Sequence, residues 1–135
     1  MFKKLTSQAA LVAAAAALLT GTVTGGSASA STGASYIGNG YPNGTTAVRC
    51  VQHLINYAID RGRYWGVAKV AEDGIWGPKT RQAVIEVQRG TGGYLSVDGI
   101  VGPRTGDMLM FEGDPEWSGG GAGKGPCYSY VPTTY

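Results

Sequence analysis

Cys50 and His53 stand three residues apart. That spacing puts a thiol and an imidazole on neighbouring positions of one helical face, and a thiolate beside its base is a nucleophile. The competing use of Cys50 is structural. The chain has one other cysteine, Cys127, so if the two pair their connectivity is forced. Lone cysteine pairs in exported chains form bridges, and the first thirty residues read as an export signal. Closing 77 residues in this way stabilises a small fold by roughly 4 kcal/mol in the chain-entropy model. The expectation is therefore a Cys50–Cys127 disulfide, with His53 solvated on the polar side of its helix.

The carboxylates give no better catalytic set. Asp73 and Asp98 sit in turn sequences, and Glu86 falls on the outer side of a helix. A hydrolytic pair must face each other across a substrate groove. The residues before Gly74 and Gly99 lack the alternating oxygen ligands of a calcium loop. One histidine and two cysteines do not make the usual zinc set. The expectation is no catalysis, no metal and no cofactor. Aromatic and arginine side chains suit binding instead. Trp76 with Tyr64 and Trp65 could stack on sugar rings, and Arg81 and Arg104 could pair with carboxylates. The competing use of Trp76 is to cap a small core. The expected ligand-binding set is Trp76, Tyr64, Trp65, Arg81 and Arg104, gathered at one end of the fold.

The elements that must position these residues are helical. With Val51 as reference, Ala47, Val48, Leu54, Ile55, Ala58 and Ile59 share one side of a helix predicted from Thr45 or Thr46, as cap, to about Asp60. Arg49, His53, Asn56 and Asp60 fall opposite. Residues 61–72 read as a loop. Asp73-Gly74-Ile75-Trp76-Gly77-Pro78-Lys79-Thr80 then opens a second helix, with Thr80, Ala83, Val84 and Val87 inward and Gly90 at its end. Twenty-five residues later the phrase returns as Asp98-Gly99-Ile100-Val101-Gly102-Pro103-Arg104-Thr105, identical at six of eight positions, and starts a short third helix. In each copy the Asp-Gly turn is expected to send its isoleucine inward, with the threonine bonding back to the turn.

Residues 1–30 carry Lys3 and Lys4, an apolar run from Ala9 to Leu19, and Ala28-Ser29-Ala30 before Ser31. That is the pattern of a cleaved secretory signal, and the run is short for a membrane span. Removal leaves 105 of the 135 residues, with nine basic and nine acidic side chains. A neutral chain has no electrostatic footprint for nucleic acid and no basic stripe for a membrane surface. The expected organisation is a signal peptide over 1–30, a flexible leader over 31–44, a domain over 45–112 and a Gly-rich tail over 113–135 tethered by the disulfide. The tail has five glycines between 119 and 125. Only Cys127 is expected to hold it.

Two DGxxGPxT phrases, each preceded by a glutamine-bearing helix (Gln52 and Gln88), resemble the bacterial peptidoglycan-binding domain 1 family over residues 45–110. Val87 stands where that family usually has an aromatic, and residues 61–72 are longer than its usual connection. The resemblance implies an all-α fold, a small three-helix bundle with two repeated turn–helix units. It also implies a secreted, cell-wall-associated monomer that binds peptidoglycan without cleaving it. The alternative is a secreted module that uses the same scaffold to bind a protein, such as a cell-wall hydrolase.

Overall fold

The computed structural model describes residues 33–119 and 125–135, so the signal-peptide expectation over 1–30 lies outside the described residues. Among the described residues four helices follow in order: α1 (Thr45–Asp60), α2 (Pro78–Gly90), α3 (Pro103–Glu112) and α4 (Pro115–Ser118). The fold is all-α, and the described residues contain no strand. The first three helices are those the periodicity predicts. The short α4 was not expected from the sequence.

α1 is the hub, in contact with α2, α3 and α4. Its apolar stripe explains this. Val48, Val51, Leu54, Ile55 and Ala58 are all buried, and they meet Ala83, Val84 and Val87 of α2 and Leu109 and Met110 of α3 in one core. Burying such side chains stabilises by about 1.5–3 kcal/mol each. The cap of α1 is Gly44, which supplies no side-chain bond, so neither Thr45 nor Thr46 fills that role. α2 and α3 start alike. Gly77 and Gly102 are extended, and Pro78 and Pro103 take the first helical turn, where a missing N–H costs nothing.

Both flanking segments are better anchored than the sequence suggests. The leader contributes Ile37 to the core, 1% exposed, and Ile37 exchanges backbone hydrogen bonds with Val101 at 3.1 and 2.8 Å. Asn43 fixes the bend by bonding both the N–H and the C=O of Gly38. The tail is joined to α1 by the Cys50–Cys127 disulfide. It is also buried at Val131, Pro132 and Thr133, and its Thr134 donates to Asp107 from both backbone N–H and hydroxyl. Gly106 lets this happen: a Cβ there would collide with the Pro132 carbonyl.

Candidate functional site

The repeated phrase is organised by the glutamines. Gln52 is 1% exposed, and its amide nitrogen lies 3.0 Å from Asp73 Oδ1, 3.1 Å from the Ile75 carbonyl and 3.0 Å from Thr80 Oγ1. Its oxygen accepts from the Gly74 N–H at 2.8 Å. Gln88 repeats this on the second copy, with Asp98 Oδ1, the Ile100 carbonyl and Thr105 Oγ1 at 3.0, 3.0 and 3.1 Å. Its oxygen accepts from Asp98 and Gly99. In both copies the aspartate also accepts from the isoleucine N–H two residues on. Gly74 and Gly99 have φ of 74° and 73°, a left-handed conformation in which a side chain is strained. Each glutamine thus satisfies a buried turn that would otherwise carry orphaned polar groups. These residues are architectural.

This geometry reverses one expectation. The turn sends Ile75 outward, 66% exposed, and brings the following residue inward: Val101 is fully buried, and Trp76 packs partly buried against the core. The Trp76 indole N–H donates to Asn39 at 2.9 Å. Arg81 lies along Gly99 of the second turn. Tyr64 is 7% exposed and faces Gly90. Trp65, next to it, is 92% exposed.

Of the five expected binding residues, Tyr64 and Arg104 come together. They line an open groove of about 550 Å3 with Arg63, Tyr94, Met108, Phe111 and Tyr135. Trp65, Trp76 and Arg81 do not line it. Arg104, Asp107, Met108, Phe111 and Glu112 form one wall because their spacing places them on one face of α3. Thr105, Gly106, Leu109 and Met110 form the buried face of that helix. The 104-107-108-111 spacing was available in the sequence. The signal was passed over because the helix is short and its apolar residues occur on both faces.

The groove's charges are unevenly committed. Asp107 receives the two Thr134 bonds, and Glu112 accepts from the Tyr64 hydroxyl. Burial, and then that carboxylate, push the Tyr64 phenol well above its ordinary pKa, so it stays a neutral donor. Arg104 lies over the Tyr94 ring at 4.8 Å, a cation–π contact. Neither Arg63 nor Arg104 forms a salt bridge among the described residues.

Residues 52–109 match a family model described as "Putative peptidoglycan binding domain". That segment is similar to this family over 58 of the 135 residues. No curated protein and no solved structure gives a match to the chain. The matched segment begins at Gln52 and ends at Leu109, so it contains both glutamine-held turns and three of the five α3 residues that wall the groove. The Ile37 strap, α4 and the tail lie outside it. Among the described residues, no helix is long and apolar enough to cross a membrane.

His53, near the start of the matched segment, is not a solvated side chain. Its ring nitrogens lie 2.9 Å from Glu72 and 3.0 Å from Asp114, and its ring stacks on Trp117 with centroids 3.9 Å apart. Only the doubly protonated ring donates to both carboxylates. Burial lowers the His53 pKa, but the bonds to Asp114 and Glu72 outweigh it and raise the pKa above its ordinary value. Burial likewise raises Glu72 and Asp114, and their bonds, including those to His53, bring both below the usual carboxylate range. The carboxylates approach opposite ring edges and do not converge on a point where a metal could sit. Asn56, also expected on the wet side, is 6% exposed and bonds Val70 through both amide atoms and Glu72 through its nitrogen. With Cys50 in the disulfide, the Cys50–His53 pair holds no free thiol.

Proposed function

We propose that this chain is an exported, non-catalytic module that binds bacterial cell-wall peptidoglycan through the face carrying the α3 groove. The family that residues 52–109 match makes peptidoglycan the ligand class. The observation that carries the choice of face is the groove, where Arg104 and Tyr64 meet the exposed rings of Tyr94 and Phe111. Sugar rings and peptide side chains are accommodated by such rings, and carboxylates by such guanidinium groups. Trp65, next to Tyr64 in the chain, is exposed but does not line the groove. Trp76, the expected centre of the site, has its indole N–H and much of its ring committed within the fold, so its share in binding is secondary on this reading.

Retention on purified wall sacculi tests the proposal. The parent chain should co-sediment with sacculi, and Phe111→Ala with Tyr94→Ala should reduce retention about tenfold, about 1.4 kcal/mol, with the helical signal intact. Unchanged retention would move the site elsewhere. Absence of retention by the parent would overturn wall binding altogether and favour a protein partner. Clearing of wall embedded in a gel would overturn the non-catalytic reading.

A further inference from the structure

We infer that the α3 groove takes a carboxylate-bearing stem peptide of the wall, with the carboxylate held by Arg63 and Arg104, and does not take the glycan strand. This deepens the wall-binding reading above and rests on it. The argument is from charge. The groove has two acidic and two basic side chains, and each acid is held by neutral donors, Asp107 by Thr134 and Glu112 by Tyr64, so neither neutralises a guanidinium group. Its two guanidinium groups have no carboxylate partner among the described residues. What is left to pair with a ligand is therefore the two guanidinium groups and the exposed apolar surface beside them. The backbone of an N-acetylated glycan strand carries no charge to meet it, whereas stem peptides end in a carboxylate and carry short aliphatic side chains.

The geometry favours a planar anion. Arg104 Cζ lies 4.8 Å from the centre of the Tyr94 ring, a contact that steadies the side chain, and a guanidinium group can offer two parallel bonds to a carboxylate. Met108 and the 79% exposed Phe111 sit beside it on the same helix face, placed to cover methyl and methylene groups. Committed acids within the groove also repel a ligand whose carboxylate enters in the wrong register.

The test uses the full chain and three probes: a synthetic stem pentapeptide ending in D-alanyl-D-alanine, the same peptide with its terminus amidated, and uncharged oligomers of N-acetylglucosamine. The free-acid peptide should bind, with amidation weakening it at least tenfold. Arg104→Gln and Arg63→Gln should weaken it similarly, and Arg104→Lys should restore only part of the loss, because the charge returns without the fork. Thermal melting checks that these exposed substitutions leave the fold unchanged. Equal binding of acid and amide, unaffected arginine variants, or preference for the uncharged sugar oligomer would each overturn the inference. If the parent still sediments with sacculi in those cases, the wall-binding reading stands and only the peptide assignment falls.

Discussion

The two turn–helix units share a skeleton and differ in what covers them. Each has a buried glutamine, a left-handed glycine, an outward aspartate and a proline-started helix. Over the second unit the leader lies antiparallel, with Tyr36 against Gly102, Ile37 paired with Val101 and Gly38 against Ile100. Among the described residues, the first unit receives Thr45 against Gly74 and the Asn39 bond to Trp76. The difference between Trp76 and Val101 follows from this cover. A valine suffices where a strap closes the core, and a large ring with one polar end suits a position that remains partly wet. The repeat therefore teaches architecture, and its variable position reports the neighbour more directly than the ligand.

The largest test of that comparison removes the shared part. Gln88→Ala leaves several buried turn groups unsatisfied and should cost about 3 kcal/mol, lowering the melting temperature by more than 10 °C at roughly 4–8 °C per kcal/mol. Gln52→Ala should cost somewhat less, because Gln88 bonds two backbone N–H groups where Gln52 bonds one. Equal binding of sacculi by the folded fraction of either variant would agree with a purely structural role. Loss of binding at full stability would contradict it.

Removing the covers comes next. Ile37→Ala should destabilise by about 2–3 kcal/mol as a large-to-small core change. Asn39→Ala, which takes one partly exposed hydrogen bond from Trp76, should cost about 0.5–1 kcal/mol. Comparable losses from the two, measured by denaturant unfolding, would show that the units are covered alike.

The smallest effect concerns pH and belongs to the first unit alone. Glu72 precedes Asp73, whereas the corresponding residue of the second copy is Val97. The raised pKa of His53 means that the folded state holds its proton more tightly than the unfolded chain. Its contribution is complete below the ordinary histidine range and is lost as pH rises through the raised value. Glu72 and Asp114, held low by their bonds, contribute above the ordinary carboxylate range and lose that contribution as pH falls through their lowered values. Lys69 also favours the ionised Glu72. Stability should therefore be greatest between the two ranges and decline toward mildly alkaline pH. His53→Gln should flatten the alkaline decline. A decline of the same size in that variant would refute the ion-paired geometry.

What was legible in the sequence was local or repeated. The three main helices announce themselves by apolar spacing and by Gly-Pro starts, and the glutamines by their place before each copy. The disulfide followed from the cysteine count, and Cys50 is joined to Cys127. His53 and Asn56 were misread as solvated because their partners lie in irregular segments, at Val70, Glu72 and Asp114, which no helical period connects to α1. Ile37 was missed because one apolar residue in a polar stretch has no pattern. Ile75 was assigned inward because turn composition was weighed without the left-handed glycine that rotates the next residue outward. In the candidate site, Tyr64 and Arg104 were found by residue type. Their convergence with Phe111 and Arg63 required the fold.

The Cys50–Cys127 bond also closes a covalent ring around almost everything discussed above. Both turn units, the groove wall on α3 and α4 lie inside it, while the Ile37 strap and the last eight residues lie outside. Its sulfurs belong to residues only 2% and 0% exposed, so a reductant reaches them poorly while the fold holds. A protease that cuts once between these cysteines opens the ring but releases nothing, and the nicked chain keeps its full mass until it is unfolded and reduced. Trimming from the C-terminus meets the buried Val131–Thr133 segment before it reaches the bridge.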